Sequence, residues 1–176
     1  PAPVRTAFVE LRDSPLLKAP LRLAGEYRRP DANTLVREVR SPYRETTTLR
    51  AGEATIARDG KTPRTFSLSR VPELAGLQSS FGALLAGDRA GIERSYAVTA
   101  AGTRERWTLT LAPKDKALAA RVRDIVLYGQ GAELRCIETR PAKGDLQRTL
   151  LASAAQAAKP DSDAKTLEAL CRTGAR

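Results

Sequence analysis

The side chains able to do covalent or acid–base work are few in this 176-residue chain, and none of them is histidine. That removes Ser-His-Asp catalysis, imidazole metal sites and the most usual general base. Two short patterns come near to reactive motifs. Gly60-Lys61-Thr62 has the ending of a phosphate-binding loop, but position 55 is Thr where that motif needs Gly. Arg58-Asp59-Gly60-Lys61 also carries the Asp-Gly pair of a tight hairpin, so the segment reads as a turn. Ser162-Asp163-Ala164-Lys165 formally fits Ser-x-x-Lys, yet it falls in a polar C-terminal stretch with no helix or pocket indicated around it. Asp and Glu are spread over strands and turns, so a paired-carboxylate glycosidase is allowed by residue type and supported by nothing else. The chain reads as non-enzymatic, with no cofactor and no metal.

Cys136 and Cys171 are far apart in sequence and form neither a CxxC nor a metal-type cluster. One disulfide in an oxidising compartment and two unrelated buried thiols both fit. The disulfide is the expectation carried forward, tying the C-terminal segment to the rest. The chain starts Pro1-Ala2-Pro3 and has no Met, which fits either a removed secretion signal or a crop. Thirty basic against twenty acidic residues give a net charge of +10, a field that attracts polyanions. Basic residues alternate with acidic and apolar ones instead of forming a block, so a solvated Arg-rich strand face is favoured over a nucleic-acid groove. Anionic lipid headgroups fit the same charge.

The elements follow from the spacing of apolar residues. Aromatics are only 5% of the chain, so the core must rest on Leu, Val, Ile and Ala. No apolar run approaches the ~20 residues of a membrane-spanning helix. Leu21, Leu23, Gly25 and Tyr27 alternate with Arg22, Ala24, Glu26 and Arg28, the pattern of a half-buried strand. After the turn Pro30-Asp31-Ala32-Asn33 a strand returns with Leu35 and Val39 on one face. Strands over Glu45–Leu49, Ala54–Ala57 and Thr65–Leu68 follow, the last two joined by the Asp-Gly turn. Leu74, Leu77, Phe81, Leu84 and Leu85 then take helical spacing, giving an amphipathic helix over about 72–87, after which Asp88 caps a shorter turn containing Ile92. Tyr96–Val98 and the run Trp107, Leu109, Leu111 make a hairpin around Ala101-Gly102-Thr103. Strands over Val122–Tyr128, Glu133–Thr139 and Leu146–Leu151 complete the pattern. The last part is Ala-rich and reads as two weak helical pieces or a tail. This predicts a mainly β, α+β chain: a curved antiparallel sheet or open, incomplete β-barrel over residues 1–152, with a helical lid on its concave face, and a helical or flexible tail over 153–176.

Phe8-Val9-Glu10-Leu11-Arg12 and then Pro20 through Arg29-Pro30 resemble the opening strands of periplasmic lipoprotein carriers of the LolA family, which run from a Phe-x-Gln/Glu strand to a Gly-containing strand ending in Arg-Pro. Leu84-Leu85-Ala86-Gly87-Asp88 is similar to the end of that family's mid-chain helix, and Trp107 through Lys114 to its Leu-x-Pro strand end. The order of these segments over about residues 8–151 carries the resemblance more than any one of them.

The resemblance implies a carrier that holds acyl chains in an apolar cavity and moves them between a membrane-bound donor and an outer-membrane acceptor, without covalent chemistry. Residues expected to line the cavity are Leu21, Leu23, Leu35, Val39, Trp107, Leu109, Leu111, Ile125 and Leu127, covered by Leu77, Phe81, Leu84 and Leu85 of the lid helix. Arg29 matches the Arg-Pro arginine that latches the lid in the family. It also implies the periplasm of a Gram-negative bacterium, a lipoprotein or other lipid cargo, and a monomer. The family's N-terminal helix has almost no counterpart before Phe8, and the positive charge and Ala-rich end leave room for a cargo such as a glycolipid. The other function class considered is an envelope module on the same scaffold that binds or senses a protein and carries no lipid. A nucleic-acid-binding β protein comes third.

Overall fold

The computed structural model describes residues 4–12, 18–68 and 88–173. Among them are eleven strands: β1 Val4–Arg12, β2 Leu21–Asp31, β3 Thr34–Ser41, β4 Glu45–Arg50, β5 Glu53–Arg58, β6 Arg64–Ser67, β7 Tyr96–Thr103, β8 Arg106–Pro113, β9 Val122–Gln130, β10 Glu133–Pro141 and β11 Gln147–Leu151. Four short helices accompany them: α1 Arg89–Ser95, α2 Lys116–Ala119, α3 Ala152–Ala157 and α4 Ala164–Arg172. The strands pair in the order β6-β5-β4-β3-β2-β1-β11-β10-β9-β8-β7, which starts and ends at different strands. The class is therefore the expected one, mainly antiparallel β with an unclosed sheet and a few helices. The helix expected over about 72–87 lies outside the described residues.

The chain divides into two compact units. Unit 1 takes the start of β1 and Ala24–Tyr96. In its ladders each residue directly across shares a face with its partner. Leu35 stands opposite Leu49, Leu49 opposite Ala54 and Ala54 opposite Phe66, an apolar row across four strands. The other face is mostly polar around a buried Val36. Val36, Thr48, Thr55 and Thr65 form the neighbouring row, with Thr55 and Thr65 hydroxyls 2.9 Å apart. Beside it Glu26 pairs with Arg5 and Arg40, and Glu38 with Arg28 and Arg40. This is the solvated Arg/Glu face that the alternation implied.

Unit 2 comprises Ala7–Leu23 and Ala97–Arg176, and both faces of its sheet are apolar at the centre. On the first face Leu109, Leu127 and Ile137 stand in one cross-strand row and Leu111 and Ile125 in the next, while Phe8 lies opposite Leu151. On the second face Tyr128, Cys136, Leu150 and Val9 form a row, next to Val126, Glu138, Arg148 and Leu11. A sheet with two apolar faces has to be covered twice. α4 covers the second face. Leu167 and Cys171, four apart and so on one helical side, are both buried, and Cys171 is bonded to Cys136 with the Cα atoms 5.1 Å apart. α3, with Ala154 and Ala155 buried, packs on β10 and β11 beside it.

Side-chain caps start three of the helices, as the Asp residues before them favour. Asp88 accepts from Gly91 N at 2.9 Å, Asp115 from Leu118 N at 2.8 Å and Asp163 from Thr166 N at 2.7 Å. The Ser-x-x-Lys pattern at Ser162 is thus a helix start, with its Asp as cap. Gly60-Lys61 is a turn, where Lys61 N donates to Arg58 O. The β7–β8 connection departs from expectation. Ala101, Gly102 and Thr103 remain in β7 and the turn falls at Arg104-Glu105. Gly102 has φ +94, and a Cβ there would lie 2.2 Å from Arg106 O, so this glycine serves a close strand approach and not the turn itself.

Cross-linking positions so far apart constrains the unfolded chain by roughly 3 to 4 kcal/mol in the chain-entropy treatment. Reduction, or Cys136→Ala with Cys171→Ala, should lower the urea midpoint by a corresponding amount. Two titratable thiols in the unreduced, denatured protein would contradict the bond.

Candidate functional site

The first face of unit 2 gathers five of the nine residues expected to line a cavity. Leu111, Ile125 and Leu127 are buried, and Trp107 and Leu109 are half-buried. Leu21 and Leu23 belong to the same unit, the latter fully buried. Leu35 and Val39 belong to unit 1, Leu35 half-buried and Val39 buried. Leu77, Phe81, Leu84 and Leu85 lie outside the described residues. Arg29, near the end of β2, donates from Nη2 to the Ala32 carbonyl at 3.5 Å, within its own turn.

Trp107 closes one end of the first face. It stands opposite Gly129, and a Cβ on Gly129 would lie 1.9 Å from the indole Cζ2, so the ring lies flat on a residue that only glycine can be. Its Nε1 donates to Gly131 O at 2.9 Å, carrying the ring across β9 to the β9–β10 turn. The indole thus offers one wall of the face while its polar atom is satisfied by backbone.

Behind this face is a charge cluster that sequence reading did not single out. Glu138 is fully buried. Its Oε1 accepts from Arg148 Nε at 2.9 Å and Arg172 Nε at 3.2 Å, and its Oε2 from Tyr128 Oη at 3.1 Å and Arg172 Nη2 at 3.3 Å. Burial alone pushes the carboxyl up, but hydrogen bonds and charge from Arg172 and Arg148 outweigh it and hold Glu138 below the ordinary glutamate range. The same contacts move Tyr128 upward, burial first and the Glu138 charge second. Arg172 is the last residue of α4 and Cys171 its neighbour, so one short segment carries both the covalent and the ionic tie to β10. The only local signal was Cys136-x-Glu138, two residues that share a strand face.

A cavity of about 240 Å³ lies in unit 1, at the β3–β4 and β5–β6 connections. Its walls are mainly charged, with Arg40, Arg44 and Arg58 against Glu38, Glu45 and Asp59, and Val39 is the one expected lining residue that reaches it. Arg58 pairs with Glu45 and lies 4.9 Å over the Tyr43 ring. Among the described residues no His/Cys/Asp/Glu group is placed to hold a metal ion, and no helix is long and apolar enough to cross a membrane.

The family described as outer membrane lipoprotein carrier protein LolA-like matches residues 1–174. The chain belongs to the LolA-like family. A LolA superfamily protein from Nitrosomonas europaea, known from its crystal structure, is similar at 11% identity, over 86% of this chain and 84% of that one, with a TM-score of 0.42. No curated protein matches. LolA-like proteins are carriers or binding proteins, periplasmic in Gram-negative bacteria.

In this LolA-like chain the Glu138 cluster makes stability depend on pH. A carboxyl held below its unfolded value contributes stability that is complete above that value and is lost as pH falls through the folded one. Stability should therefore drop as pH goes below about 4.5, the ordinary glutamate value. Glu138→Gln should lack this increment and should be less stable near neutral pH by about 3 kcal/mol, the low end for breaking a buried pair because Arg172 is part-exposed. Urea midpoints measured across acid pH for both proteins check this. Parallel curves would contradict it.

Proposed function

We propose that this protein is a non-covalent carrier that takes up acyl chains of a lipoprotein or other lipid on the first face of unit 2 and passes them between membrane-bound donor and acceptor proteins in the periplasm. The observation that carries this reading is the two-faced apolar sheet of unit 2, of which the C-terminal helices take up one face. α3 and α4 close the second face through Cys136–Cys171 and Glu138. The first face presents Leu109, Leu111, Ile125 and Leu127 in paired rows, with the Trp107 ring at one end. Each methylene moved from water to such a surface gains ~0.8 kcal/mol, so a long acyl chain is worth on the order of 10 kcal/mol, comparable with what it gives up on leaving a bilayer. No bond has to form or break, which suits a chain without histidine.

In this reading Leu77, Phe81, Leu84 and Leu85 form the movable cover, with Leu21 and Leu23 as further lining. Arg29 is its latch. Its hydrogen bond to Ala32 O leaves guanidinium N–H groups for a lid, and a charge-assisted bond of ~1.5 to 3 kcal/mol is small enough for acyl burial to overturn.

Organic extraction and mass spectrometry of the purified protein should find bound acyl lipid, and a fluorescent fatty acid should bind saturably. Leu109→Asp places a carboxylate in the acyl path and should weaken uptake by about tenfold or more. Ala112→Asp, exposed on the same strand, should leave it unchanged. Absence of both bound lipid and saturable uptake would favour a partner-binding module on the same scaffold.

A further inference from the structure

The charge of unit 2 is concentrated at one end of its strands. The connections β8–β9 and β10–β11 lie side by side there, with Ala142 N donating to Arg121 O at 2.8 Å and Arg140 directly opposite Asp124. They bring together Lys114, Lys116, Arg121, Arg123, Arg140 and Lys143. All but Arg140 are exposed. Three acids share this end, but two are occupied. The Asp115 carboxylate caps α2 at Leu118 N, and Asp124 lies 3.5 Å from both Arg123 and Arg140 with little of its side chain exposed. At the other end of the same strands the turns carry Arg104 and Arg106 against Glu105 and Glu133, and Arg135 there is buried. The positive field therefore points one way along the strand axis.

We infer that this end of unit 2 is a docking surface for an anionic lipid bilayer. The inference goes beyond the carrier reading and does not require bound cargo. Charge complementarity names the partner class, and three further features select a bilayer among polyanions. The basic residues come from adjacent connections and one helical turn, giving a patch instead of a groove that tracks a backbone. Among them stand Ala117, half-buried Leu118 and Ala119 of α2, small apolar groups that suit the headgroup boundary. Neither connection holds an aromatic residue on which a base could stack.

Co-sedimentation with phosphatidylcholine vesicles, with and without phosphatidylglycerol, tests the surface. Binding should require phosphatidylglycerol and should fall as salt shortens the screening length. Each basic residue near an anionic surface is worth ~1 kcal/mol, about fivefold, so Lys116→Glu with Lys143→Glu should weaken binding about 25-fold or more. Arg104→Glu with Arg106→Glu changes the net charge equally at the other end, and should weaken binding less than about threefold if position matters. Both pairs are exposed, and circular dichroism establishes that both variants fold. Equal losses for the two variants would overturn the inference, since net charge alone would then account for binding. So would binding that is indifferent to phosphatidylglycerol, or binding of a DNA duplex in place of vesicles.

Discussion

The attachment of α4 to β10, by the Cys136–Cys171 bond and the Glu138 carboxylate, decides what unit 2 has left to offer. An antiparallel sheet with one apolar face can leave the other to water. Unit 2 has no such option, because Val9, Val126, Cys136 and Leu150 are as buried on one side as Leu111, Leu127 and Ile137 are on the other. Once the C-terminal helices occupy the second face, the first is the side that the proposed carrier function uses. In that proposal, function on one side of the sheet depends on a structural tie on the other.

The tie combines two kinds of interaction with different failings. A disulfide acts mainly on the unfolded chain and fixes little about how a helix is rotated. A buried carboxylate shared by Arg148, Arg172 and Tyr128 is the reverse. Its net contribution is small against a well-packed hydrophobe, but it tolerates few geometries, and removing one partner strands a charge. Together they hold Leu167 and Cys171 against the sheet in one register. Unit 1 needs no comparable device. Its second face is met by water through threonines and Arg–Glu pairs, each worth little singly and sufficient to keep that face from requiring a cover.

What could be read in advance follows the range of the interactions. Strand positions were legible because alternation is local. Leu21 to Tyr27 and Leu35 to Val39 lie in β2 and β3 as read, and Asp59-Gly60 marks its hairpin. Asp88 was legible as a cap because its partner, Gly91, is three residues on. The β7–β8 turn was misplaced because Gly102 signals a positive φ without saying whether a turn or a close strand approach demands it. The Glu138 cluster was not legible. Its partners are 10 and 34 residues away, and no short pattern says which Arg among so many lies across a ladder. Trp107 over Gly129 escaped for the same reason. Of the proposed carrier site, the shared face of β8 and β9 could be read from period two alone, whereas the part assigned to lid and latch rests on family resemblance.

These relations make the side of the sheet that meets the acyl chain the central claim. A fatty acid carrying a photoreactive diazirine, bound and irradiated, followed by peptide mapping, reads that side directly. Labelling should fall on the first face, at Trp107, Leu109 or Leu127, and should be competed by unlabelled fatty acid. Labelling concentrated on α4 or on the second-face residues Val126 and Leu150, or labelling that competitor does not reduce, would contradict the account.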